Sequence, residues 1–157
     1  MKKVARFLKV SEQQFGSSNA DYNKILLPRR ATKGSAGYDF FSPFDFTLGP
    51  NETIIIPTGT RVKIEEGYVL MLFPRSSLGF KYKFTLDNTV GIIDSDYYYS
   101  DNEGHIMAKL TNHSEKTLEI KQGIAFMQGI FVQFGITADD EATEIRNGGF
   151  GSTDTFL

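Results

Sequence analysis

The sequence predicts an all-β fold, a sandwich, jelly roll or barrel, on three observations. Short runs rich in β-branched and aromatic residues recur along the chain. Glycine or proline interrupts them at short intervals. No long stretch keeps a helical period. In order, "KVARFLKV" reads as a strand and "FGSSNADYN" as a surface loop. "GSAGYDF" reads as a glycine-flanked tight turn at Asp39. "TIIIP" is a strand closed by proline, and "TRVKIEEGYVLMLFP" is strand, Glu-Glu-Gly turn, strand. "PRSSLGF" opens a short helix that Ser76 or Ser77 caps. "TVGIID" and "HIMAKLTN" are strands. "TLEIKQGIAFMQGIFVQF" is a strand pair broken at Lys121-Gln122-Gly123, and "ADDEATEI" is a second helical candidate.

Bulk properties narrow the function. A length of 157 residues with 40% hydrophobic and 23% charged content fits one globular domain over 1–157. A net charge of −2 argues against a general nucleic-acid or anionic-membrane surface. Any polyanion must be met by a few placed cations. The chain has no cysteine, so disulfides and thiolate zinc sites are excluded. Arg6 and Lys9 interrupt the N-terminal apolar residues, which makes a poor signal peptide, and no run matches a membrane span. A soluble cytoplasmic protein is expected, with no nucleic-acid or membrane partner.

Five segments carry candidate chemistry. The terminal "RNGGFGSTDTFL" combines backbone N–H donors at glycines, the Ser152 and Thr153 hydroxyls and the Arg146 fork, which together suit an anion. Phe150 between glycines offers a stacking face, while a plain glycine tail has the same composition. In "PRSSLG", Arg75 and two hydroxyls stand where a helical turn would present free N–H groups to an anion; a strand end with a serine cap reads the same. In "VGIIDSDYYYSDNEGH", Asp94 ends an apolar strand with Asp96, Asp101 and Glu103 nearby. It is either a general base or part of a solvated acidic turn. A calcium loop fails, because Tyr98 and Tyr99 fall where an oxygen ligand and the turn glycine belong. Gln128 interrupts the apolar "AFMQGIF" and needs a partner if it is buried. His105 and His113 are isolated in sequence.

Taken together and in order, "AGYDF", "PRSSLG", "NTVGIIDSDY", "IAFMQGIF" and "RNGGFGSTD" resemble the five motifs of the homotrimeric dUTPase family, from about residue 25 to the end. The resemblance implies a jelly-roll trimer with active sites shared between subunits. The PRS and glutamine motifs come from one chain, the IDSDY hairpin from a second, and a C-terminal arm, 145–157, closes as a lid from a third. It implies hydrolysis of dUTP to dUMP and pyrophosphate, which limits uracil incorporation into DNA and supplies dUMP for dTMP synthesis. Asp94 is then the base that orients water on the α-phosphorus, and Arg75 is the second catalytic residue. Tyr97 lies against the deoxyribose. Asn88 and the backbone around Gly91, Ile93 and Met107 read uracil. Ser76, Ser77, Gln128, Arg146, Gly151, Ser152 and Thr153 join Arg75 on the phosphates, and Phe150 covers the base. Mg2+ is implied as the cofactor, held by the triphosphate and waters near Asp39. In viral and phage members the resemblance also implies regulatory protein partners, and "DYYYSDNE" would be such a surface.

The sequence departs from the family pattern in three places. Ser77 replaces a glycine common after PRS, the loop after Tyr97 is longer, and Asp154 follows "ST" where glycine is common. Three rival readings remain: a dCTP deaminase of the same fold, an interaction protein, and a nucleotide-binding module without catalysis.

Overall fold

The computed structural model describes residues 1–16 and 19–146. The strands are β1 (Ala5–Lys9), β2 (Arg29–Arg30), β3 (Tyr38–Phe41), β4 (Phe46–Leu48), β5 (Thr53–Pro57), β6 (Thr60–Ile64), β7 (Tyr68–Pro74), β8 (Phe84–Leu86), β9 (Gly91–Ile93), β10 (Met107–Asn112), β11 (Leu118–Ile120) and β12 (Ala125–Gln133). Two short helices, α1 (Glu12–Phe15) and α2 (Ser76–Tyr82), interrupt them. Every pairing is antiparallel. The order β2-β3-β12-β7-β9 forms the largest sheet, beside β5-β10-β8 and the pairs β1-β6 and β11-β4. This is the jelly-roll architecture predicted from the strand rhythm.

Alternation builds the core. On β7 the side chains of Leu70 and Leu72 are buried while their neighbours are not, and β6 buries Thr60, Val62 and Ile64 in the same rhythm. These residues join Phe40, Phe84, Phe126, Ile106 and Leu110 in one continuous cluster. Each fully buried Leu or Phe contributes about 1.5–3 kcal/mol relative to exposure, so this cluster outweighs any surface ion pair. A satellite cluster of Val10, Phe15 and Ile25 lies under the N-terminal segment.

Four local readings are corrected. α2 begins at Ser76, but Arg75 is its N-cap and no side chain caps it. "ADDEATEI" forms no helix, only a turn closed by Asp140 N–H to the Thr137 carbonyl. Asp39 lies inside β3 rather than in a tight turn. α1 falls at a place not predicted as helical: the Ser11 hydroxyl accepts the Gln14 N–H, and Gly16 closes the helix at φ 56°. The cap is legible in "SEQQF" once the neighbouring loop is known. On its own a one-turn helix is too short to stand out from a turn.

His105 is 2% exposed, and its Nε2 accepts the Gly59 N–H at 3.0 Å, so the ring is neutral. Burial pushes its pKa below the ordinary 6.5, with Glu103 opposing. The unfolded chain then takes up a proton on acidification before the folded chain does. The stabilising term is fully present above 6.5 and is lost as pH falls from there through the lowered folded value. Urea midpoints will fall between about pH 7.5 and 5.5, a window above ordinary carboxylate titration. His105→Gln will flatten that slope. An unchanged slope in the variant would remove His105 as its origin.

Candidate functional site

A cleft of about 450 Å³ opens between β9 and β10. Asn88, Gly91, Ile93, Tyr97 and Met107 line it together with Asp87, Lys109 and Arg146. All five residues predicted for base and sugar therefore share one cavity. β9 can run close to β7 because Gly91 has no side chain: a Cβ there would stand 3.0 Å from the Leu72 Cβ. Tyr97 sits in the 3₁₀ turn Ser95–Tyr99 that follows Asp94. Its ring is buried, and its hydroxyl donates to the His105 carbonyl and accepts from Asn102 Nδ2, each at 2.8 Å. Burial raises the phenol's pKa, partly offset by the Asn102 bond and the Arg146 charge, so it remains a donor at neutral pH.

Asp94 is the N-cap residue of that turn, but its side chain makes no cap bond. The carboxylate is therefore free to face Arg146, whose Nη2 reaches Asp94 Oδ2 at 2.5 Å while Nε reaches Asp96 Oδ1 at 3.0 Å. The structure thus sets Arg146 on the hairpin of its own chain, away from Arg75 and Gln128. Phe150, Gly151, Ser152 and Thr153 lie outside the described residues.

A second group forms at the other end of β7. Gln128 on β12 lies opposite both Asp39 on β3 and Phe73 on β7, so these side chains share a face. Gln128 Nε2 donates to the Pro74 carbonyl at 3.1 Å. Gly37 makes room for the amide, since a Cβ there would stand 2.5 Å from Gln128 Oε1. Arg75 Nε lies 3.1 Å from Asp39 Oδ1, and its Nη1 donates to the Ala125 carbonyl at 3.3 Å. A part-exposed pair of this kind adds about 0–1 kcal/mol to stability, so its main effect is to aim the guanidinium. Ser76 and Ser77 are exposed in the first turn of α2 beside it.

The two groups are far apart within one chain. Ile93 pairs with Leu70, which sets Asp94 level with Val69, and Arg75 follows the far end of the same strand. From Val69 to Arg75 an extended strand spans roughly 20 Å at about 3.4 Å per residue.

The sequence reading missed Asp87, Lys109, Asn102 and Arg61. Asp87 Oδ1 accepts the Thr111 hydroxyl at 2.6 Å and faces Lys109 Nζ at 3.5 Å on the cleft wall. Only the β8–β10 pairing joins them, so no local pattern could have found them. No group of three or more His, Cys, Asp or Glu suited to a metal occurs among the described residues.

Comparison with known proteins completes the description. A family profile described as dUTPase matches residues 23–154. The deoxyuridine 5'-triphosphate nucleotidohydrolase of Lactococcus lactis is 40% identical over 132 residues, covering 82% of this chain and 88% of the relative. That of Hahella chejuensis is 37% identical over 161 residues, covering 98% and 99%. The crystal structure of dUTPase from Streptococcus mutans superposes with a TM-score of 0.69 at 35% identity, covering 83% of this chain and 97% of that one.

Gly104, at φ 68°, lies against the Tyr97 turn: an added Cβ would stand 2.7 Å from the Tyr97 carbonyl oxygen and 2.8 Å from the Tyr98 Cα. Both contacts are backbone and neither can yield. Gly104→Ala will cost about 1–3 kcal/mol, measured by urea denaturation. Gly34→Ala, with open space around its Cβ, is the control expected to change little.

Proposed function

The chain belongs to the dUTPase family, and from that premise we propose that it hydrolyses dUTP to dUMP and pyrophosphate by water attack on the α-phosphorus, with Asp94 as general base. The observation that carries this reading is the single cleft shared by Asn88, Gly91, Ile93, Tyr97 and Met107, with the Asp94 carboxylate directly after its β9 wall. Asn88 and the backbone around Gly91, Ile93 and Met107 read the uracil edge. A cytosine would leave buried polar groups unpaired, and such a mismatch is discriminated strongly. Thymine's methyl meets a hairpin with no spare room. The Tyr97 ring lies against the deoxyribose, where a 2′-hydroxyl has no space. A nucleotide substrate places the activity in the cytoplasm, where it limits uracil in DNA and supplies dUMP for dTMP synthesis.

Asp94 takes the proton of the attacking water. For that its carboxylate must be released from Arg146, which is free to turn onto substrate phosphate because both Asp94 and Asp96 are part-exposed. Arg75, with Ser76, Ser77 and Gln128, binds the phosphates and stabilises the charge that develops on the leaving group. Asp39 holds Arg75 in line. Ser152, Thr153 and the Gly151 backbone add donors, and Phe150 covers the base. Mg2+ fits this donor set. The described residues offer no cage of carboxylates, while substrate oxygens and waters suffice for such an ion, near Asp39. When bound, it neutralises part of the triphosphate charge.

The roughly 20 Å between Asp94 and Arg75 along β7 supports sites built between copies of the chain in a homotrimer. Phe80 on α2, 91% exposed close to Arg75, supplies apolar surface for such a contact. Residues 145–157 act as the arm of the single domain.

Three measurements test this. Purified protein with Mg2+ will release pyrophosphate from dUTP, and far more slowly from dCTP, dTTP and UTP; ammonia from dCTP would mean a deaminase instead. Asp94→Asn will lower kcat by about 10²–10⁴-fold, and near-normal turnover would remove Asp94 as the base. Co-refolding Asp94→Asn chains with Arg75→Ala chains will restore activity to roughly a quarter of the sites, as random assembly of shared sites requires. No recovery in a mixed trimer would place both groups in one chain's site.

A further inference from the structure

The loop after the Tyr97 turn is fastened down. Asn102 Nδ2 donates to the Tyr97 hydroxyl, which donates in turn to the His105 carbonyl. Asn102 is itself held, since its Oδ1 accepts the Gly104 N–H at 3.1 Å and its carbonyl accepts the His105 N–H at 3.1 Å. Glu103, at φ 59°, directs its carboxylate to the N-terminal segment. There it accepts the Ser11 N–H at 2.8 Å and the Ser11 hydroxyl at 2.5 Å. Those bonds lower the Glu103 pKa, so the contact is made by the ionised form. Arg61 of β6 lies over the Tyr98 ring at 3.7 Å, donates to the Tyr98 carbonyl at 2.6 Å and stands 3.9 Å from Glu103. The phenol is thus braced from behind by its own loop, and the loop by β6 and α1.

We propose that Asn102 is a positioning residue for sugar selection, holding the Tyr97 ring against the space a 2′-hydroxyl would need, and that Glu103 extends this restraint to Ser11. The proposal rests on the reading of Tyr97 as the face against the deoxyribose. Rejecting one extra atom by shape is worth only about 10–200-fold. A ring free to retreat by a fraction of an ångström forfeits most of that. A tyrosine fixed by two hydrogen bonds, one buried and one part-buried, cannot retreat without breaking them.

The test measures kcat and KM for dUTP and UTP, with a thermal midpoint for each protein, in the wild type, Asn102→Ala, Tyr97→Phe, the double variant and Glu103→Ala. Asn102→Ala will lower the dUTP-over-UTP ratio of kcat/KM by about tenfold or more, with UTP turnover rising in absolute terms. Tyr97→Phe, which keeps the ring and loses the hydroxyl, will do the same. The double variant will fall no further than either single one, because the two changes remove one interaction. Glu103→Ala will shift the ratio in the same direction by less. Parallel loss of both substrates with the thermal midpoint, at a constant ratio, overturns the proposal and leaves Asn102 a structural residue. If Asn102→Ala does not fold, an unchanged ratio in both Tyr97→Phe and Glu103→Ala overturns it equally. A wild-type protein silent on dUTP overturns the hydrolase reading itself before any variant is measured, and the sugar role of Tyr97 falls with it.

Discussion

The register of β7 against β12 on one side and β9 on the other sets the positions of both half-sites. Leu70 and Leu72 face the core from β7 and are 0% and 2% exposed. Their partners across the sheet are Phe131 and Gly129 on β12, and Ile93 and Gly91 on β9. A slip by one residue would turn both leucines to the opposite face, which the core does not permit. With that register held, Asp94 comes level with the start of β7 and Arg75 follows its end. The same hydrophobic constraint that stabilises the sheet therefore separates the carboxylate from the arginine. That separation follows from strand pairing more than from any feature of the groups themselves.

The two half-sites are stiffened by different means. Around Arg75 the supports come from neighbouring strands of one sheet: a carboxylate at Asp39, the Gln128 amide, and a glycine at 37 that lets that amide approach. Around Tyr97 they reach across the chain, through His105 to Gly59 and through Glu103 to Ser11. The His105–Gly59 bond is buried and costly to leave unmade, while the Glu103–Ser11 bonds are exposed. They therefore specify one geometry for the Tyr97 ring. The part-exposed Arg146 contacts with Asp94 and Asp96 are of a third kind. As part-exposed ion pairs they add little to stability.

Much of this was legible in the sequence, for identifiable reasons. "TRVKI" announced itself through side chains that alternate at a period of two, and "YVLMLF" as an unbroken apolar run bounded by glycine and proline. The family was legible through motif order. The misreadings share one cause. Asp39 between glycine-rich neighbours looked like a turn because the pairing that makes it a strand residue comes from β12, far along the chain. α1 was invisible because a single turn is held by one cap and by Glu103, a residue distant in sequence. "ADDEATEI" has helical composition but nothing to pack against.

By itself the sequence determined the all-β class, the positions of most strands, the family motifs and the residue types that the chemistry needs. All of these depend on local patterning and side-chain identity. Tertiary structure alone decided that Asp94 and Arg75 stand at opposite ends of one strand, that Arg146 meets the hairpin of its own chain, and that the loop after Tyr97 is a brace. Those facts depend on register and on contacts between distant segments. Many chains with the same local periodicity could pair differently, so only the packed core selects among them.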